Sequence, residues 1–164
     1  MWLVILFISA GVMARLIPHT PNFAPLAAVA LLSGLYCNKR YGYLIPLAIY
    51  ILSDLILGLH NTVLFTWGSL IIIYFLGWHL RQKKTMARAV CYTILSSLTF
   101  FVITNFGVWL MGWYPHTTSG LAQCFINALP FFRISLAADL VYGAVFFGMC
   151  EYYAARHKLS QEIV

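Results

Sequence analysis

Residues 14–34 read ARLIPHTPNFAPLAAVALLSG. An apolar run stops at Arg15, the chain passes Pro18, Pro21 and Pro25, and a second apolar run of small residues begins. Proline is tolerated in the first turn of a helix and disruptive in its middle, so the stretch reads as one helix ending and another starting. An arginine, a histidine and an asparagine sit in the break. They either end a helix at an interface or help to wall a site.

Composition sets the solvent. The 164-residue chain is 62% hydrophobic and only 9% charged, where a soluble domain carries about 25% charged residues. A globule of this size cannot hide that much apolar surface and still cover itself with polar groups. Lipid is the expected surroundings for most of the chain.

The hydrophobic runs predict six helices, at about 1–17, 22–37, 41–57, 62–80, 89–111 and 125–152. The expected fold is all-α, a polytopic membrane bundle of six transmembrane helices in one domain over 1–164. The second run is short against the ~20 residues a crossing usually needs, and 18–25 could be a broken helix lining a cavity. The sixth is long enough to tilt or to start with a re-entrant piece near Pro130. Between the fifth and sixth, GWYPHTTSG has turn chemistry. The first run resembles a signal peptide in length but has no basic residues before its core, so a retained helix is expected.

Formal charge is +6, and eight of the ten basic residues fall in three places: Lys39 with Arg40, Arg81 to Arg88, and Arg156 with Lys158. Basic clusters between apolar runs mark cytoplasmic loops. Six crossings with both termini cytoplasmic put all three clusters inside. This charge does not form a track for DNA, so no nucleic-acid partner is expected. Four cysteines without CxxC spacing support neither a disulfide framework nor a metal cluster.

With that orientation the unusual polar residues gather on the outer side. Arg15 and His19 end the first helix, Asn22 starts the second, and Asp54 and His60 end the third. Asn105 lies in the outer half of the fifth, and Arg133 and Asp139 enter the sixth. Ionised groups in lipid-facing helices are costly, so they pair, reach the interface or face a polar cavity. Arg133 and Asp139 are six positions apart, about 9 Å of rise and about 120° of rotation, which points them to different partners. Ion pairs that only tie helices together would explain the two acids as well as a ligand site would. Trp109, Trp113 and Phe132 could give a ligand aromatic cover, although tryptophans also anchor helices at interfaces.

His19, His60 and His116 belong to no short ligand motif, so no metal or cofactor is assigned. No nucleophile motif and no nucleotide-binding P-loop are present, and the chain is not expected to be an enzyme. Ala10 and Ala14 have the small-xxx-small spacing that permits close helix contact, within the bundle or with a partner.

RLIPHTPNFAPLAAVALLSG, PLAIYILSDLILGLH, FFVITNFGVW and ALPFFRISLAADLVYGAVFFG, in that order, resemble a family of small, uncharacterised bacterial inner-membrane proteins over nearly the whole chain. That family is in turn distantly similar to the substrate-binding S components of energy-coupling-factor (ECF) transporters, compact six-helix bundles that bind a vitamin or related nutrient near the outer side. The resemblance implies a small nutrient ligand and, as partners, an ECF coupling protein and ATPases. It also makes Ala10–Ala14 a match to an AxxxA coupling motif in the first helix.

The resulting expectation is a membrane-embedded substrate-binding protein for uptake of a small nutrient. Its ligand-binding residues would come from Arg15, His19, Asn22, Asp54, His60, Asn105, Trp109, Trp113, Phe132, Arg133 and Asp139, with Ala10 and Ala14 docking a partner. The alternatives are a structural or assembly protein without a ligand, and an integral membrane enzyme.

Overall fold

A computed structural model describes Val12, Arg15, residues 23–37 and residues 40–157, the last four of these by backbone only. The helices are α1 (Leu26–Tyr36), α2 (Leu44–Leu57), α3 (Val63–Leu80), α4 (Met86–Leu110) and α5 (Thr118–His157), with a 3-10 turn at Arg81–Lys83. The chain is all-α among the described residues. Most of the predicted first segment lies outside them, as do Ala10, Ala14, His19 and Asn22.

Three helical stretches are long and apolar enough to cross a membrane: Val63–Lys83, Met86–Leu110 and Thr118–Tyr153. Of the six expected crossings, three are matched among the described residues by helices of spanning length. The second and third predicted segments end up as helices of 11 and 14 residues, about 16 and 21 Å long against a hydrocarbon core of about 30 Å. Non-helical backbone at residues 23–25 precedes α1, and turns at residues 40–43 precede α2. The sixth segment starts earlier than predicted, because the end of the presumed connector, from Thr118 on, is already helical.

The shortest helix is the centre of the bundle. Every residue of α1 from Ala27 to Leu35 is buried, and α2, α3, α4 and α5 all pack on it. Its small residues allow this. A Cβ on Gly34 would run into the carbonyl of Tyr74 on α3, and one on Gly77 into the carbonyl of Leu31. The α1 and α3 backbones thus touch where both lack side chains, as small residues allow in membrane helix pairs. Leu31, Leu70 and Ile73 fill the space on one side of this crossing, and Leu35, Leu80 and Phe147 fill it on another.

Outer helices carry an inside-out pattern. On α2 the buried stripe includes Tyr50, Ser53 and Asp54, while Leu52, Leu55 and Ile56 are exposed. Only 17% of the most apolar window of α5 is buried. Apolar residues outside and polar ones inside suit a lipid solvent. Gly58, with φ 100°, lets its N–H return to the Asp54 carbonyl and ends α2.

Two charged side chains from other helices cap the buried ends of α1. At its start Pro25 has no donor, and the Ala28 N–H is donated to Asp139 Oδ1 on α5 at 3.0 Å. At its end Arg81 Nε donates to the Leu35 carbonyl at 2.9 Å, and Nη2 donates to Gly34 and Cys37 carbonyls. A carboxyl at the amino end and a guanidinium at the carboxyl end also oppose the helix dipole. Beyond Arg81, Glu151 accepts from both Tyr36 Oη and Lys84 Nζ and closes the basic end of the bundle.

Candidate functional site

Two polar clusters lie at the other end. Asp54 is 1% exposed; its Oδ1 meets Arg15 Nη1 at 2.8 Å and its Oδ2 accepts the Trp67 indole N–H at 3.0 Å. The same Nη1 donates to Ser53 Oγ at 2.5 Å, and the guanidinium lies 4.0 Å from the centre of the Tyr50 ring. Among the described residues, Arg15 Nε and Nη2 have no acceptor. In the second cluster Asp139 joins three helices. Its Oδ1 caps α1, and its Oδ2 accepts the Ser97 hydroxyl of α4 at 2.7 Å.

Two cavities run between these clusters. One, of about 390 Å³, is lined by Arg15, Tyr50, His60, Thr62 and Thr66 on its polar side, together with Leu26 and Leu57. The other, of about 290 Å³, is lined by Phe101, Phe131, Phe132, Asn105, Ala128 and Ser97. Phe100, Thr104, Ser135 and Asp139 line both. The two cavities thus adjoin at these four residues; together they are called the chamber, each cavity a lobe and the shared residues its neck.

The lobes differ in chemistry. In the first, the Arg15 guanidinium is joined by the His60 ring, whose Nε2 is 3.1 Å from Thr66 Oγ1. In the second, Phe101 packs against Phe132 with ring centroids 4.7 Å apart. Asn105 Nδ2 there donates to the Phe101 carbonyl, which leaves its Oδ1 as an acceptor. A polar lobe and an aromatic lobe joined by hydroxyls suit a molecule with two unlike ends.

Arg15, His60, Asn105, Phe132 and Asp139, each expected at a site from sequence, all line this chamber. Asp54 lies behind Arg15 and orients it. The remaining three described candidates are elsewhere. Trp109 donates to the Pro115 carbonyl at 3.0 Å and packs on His116, which organises the connector. Trp113 is 69% exposed. Arg133 is exposed on α5 and pairs with no described residue, so the helix partner expected for it is not found there.

Sequence reasoning placed none of Ser97, Thr104, Ser135, Tyr50 and Trp67 among the ligand-binding candidates. For three of them a signal existed. Ser97 and Thr104 are seven apart, and Ser135 and Asp139 four apart, so each pair shares a helix face. Among the described residues no three His, Cys, Asp or Glu side chains converge as metal ligands would. Cys124 is buried and donates from Sγ to the Asn105 carbonyl at 3.4 Å, a contact between α5 and α4.

Over residues 1–161 the sequence matches DUF6580, a family of unknown function, and the chain belongs to that family. No curated protein and no solved structure matches it significantly.

Proposed function

We propose that this protein is a membrane-embedded binding protein for uptake of a small nutrient such as a vitamin or cofactor precursor. The observation that carries the reading is the two-lobed chamber, where Arg15, His60, Asn105 and Asp139 meet four phenylalanines inside a lipid-facing bundle. Polar groups held inside a membrane are expensive, and a cavity that presents them to a ligand is a common reason to keep them.

The finer parts of the reading belong to this proposal. The first predicted segment would complete a bundle of six membrane segments, S-component-like, in the bacterial inner membrane. Both termini would be cytoplasmic, with the basic end formed by Arg40, Arg81, Lys84 and Arg88 on that side and the chamber outside. An ECF-type coupling protein with ATPases would supply the energy.

A structural reading draws on a specific fact. Both acids already have partners, Asp54 in Arg15 and Trp67, Asp139 in Ala28 and Ser97. On that reading they only lock helices, and the chamber holds water or lipid.

Thermal unfolding of the purified protein against a panel of water-soluble nutrients separates the two. A ligand at 100 times its Kd adds about 2.7 kcal/mol, so one panel member is expected to raise the unfolding temperature by several degrees. Thr104→Trp, which fills the neck, is expected to remove that shift while unfolding as cooperatively as the parent. A shift that survives in Thr104→Trp would place binding elsewhere.

A further inference from the structure

We infer that the chamber takes an elongated ring-bearing acid: an oxyanion at Arg15, a hydrogen-bond donor at the Asp139 neck, and a flat ring among the phenylalanines. This rests on the reading of the chamber as a nutrient site and specifies what that nutrient is chemically.

The oxyanion end follows from the donors Arg15 has left. Asp54 and Ser53 both use Nη1, so among the described residues the Nε and Nη2 donors of a cavity-lining guanidinium are uncommitted. Nε and Nη2 form one edge of the planar group and match a carboxylate or phosphate in bidentate fashion. Its ion pair and the Tyr50 ring fix the plane in advance, so little side-chain freedom is lost when an anion arrives. His60 lines the same lobe and adds a second polar ring.

The middle has the opposite polarity. Asp139 accepts from the Ala28 N–H and the Ser97 hydroxyl, with the Ala27 N–H also against the carboxyl group; two carboxyl oxygens together accept up to about four such bonds, so room for one more remains. The neck therefore favours an N–H or O–H and disfavours a second anion, which orients the acid toward Arg15. In the far lobe Phe101 and Phe132 offer ring faces and edges, and Asn105 Oδ1 offers an acceptor at the rim. Acid, donor and ring thus match, in turn, the first cavity, the residues that both cavities share, and the second cavity.

N-(2-naphthoyl)glycine has this order, and two relatives each remove one feature: its primary amide lacks the charge, and its N-methyl derivative lacks the neck donor. Binding to the purified full chain is measured by isothermal titration. Charged hydrogen bonds are worth about 1.5–3 kcal/mol, so the acid is expected to bind at least about tenfold tighter than the amide. The N-methyl compound is expected to lose about fivefold to tenfold. Arg15→Lys keeps a cation beside Asp54, and hence the ion pair, while removing the fork; it is expected to cut the preference for acid over amide several-fold without erasing it. Phe132→Ala, in the other lobe, should weaken acid and amide alike and leave their ratio unchanged.

Acid and amide binding equally, or a ratio unchanged in Arg15→Lys, overturns the assigned class while leaving a nutrient site standing. Failure of every probe also overturns the class. If the protein in addition carries only lipid, the nutrient site falls with it.

Discussion

Asp139 accepts the backbone N–H of Ala28 at 3.0 Å across 111 residues of chain. This contact sets the amino end of the central helix against α5 and aims the other carboxyl oxygen at Ser97. It makes the site and the fold interdependent, because the same carboxyl group caps α1 and forms the neck of the chamber.

Asp139→Ala should therefore destabilise the protein. Loss of a capping acceptor costs about 0.5–2 kcal/mol, and a buried donor left alone about 1–3 kcal/mol. Asp139→Asn keeps an acceptor oxygen and should lose clearly less. Denaturant unfolding in detergent measures both, and an alanine variant as stable as the parent would refute the capping role.

Arg81 performs the matching task at the other end of α1. Replacing it with leucine leaves the Gly34, Leu35 and Cys37 carbonyls without their donors. Amide hydrogen exchange over residues 33–37 is expected to speed up by about tenfold or more, corresponding to a local loss of about 1.4 kcal/mol or more. The chamber is at the far end, so ligand affinity should not change. Unaltered exchange would mean that the caps do not hold the helix end.

Glycine substitutions should separate packing from helix propensity. Gly34→Ala and Gly77→Ala push a methyl group into a carbonyl of the facing helix and should each cost about 1–3 kcal/mol. Gly68 and Gly148 have no atom within 4 Å of an added Cβ, so alanine there should be neutral or stabilising by up to about 1 kcal/mol. Four unfolding curves decide it; equal effects at all positions would contradict the backbone contact of α1 and α3.

Arg15 and Asp54 should be energetically coupled. Removing one member of a buried pair strands the other, at about 3–5 kcal/mol, whereas removing both costs less than the sum. Arg15→Gln, Asp54→Asn and the double variant form the cycle. A coupling energy of about 1–3 kcal/mol is expected, and purely additive losses would show that the pair is incidental.

Much of this was legible in residues and spacing. Charge asymmetry separated a basic end from an end with uncommon polar groups, and five of the described candidates line one chamber. The central position of α1 was not legible: nothing in LAAVALLSGLY distinguishes a helix enclosed by protein from a short one facing lipid, since both are apolar all round. Arg81 was absorbed into a basic cluster, because a guanidinium that snorkels and one that caps a neighbour look the same in sequence. Arg133 misled for the converse reason. An arginine within an apolar run suggests a buried partner, yet it sits on the exposed side of α5. Nothing in the sequence marks Trp67 as the residue whose indole N–H fixes Asp54.

The central claim is that the chamber holds a small molecule, and native mass spectrometry of the gently extracted protein tests it most directly. The parent should carry one non-lipid molecule per chain, and Thr104→Trp, folded but with its neck filled, should carry far less. A parent that emerges with lipid alone, or a Thr104→Trp variant that carries the same molecule in equal amount, would contradict it.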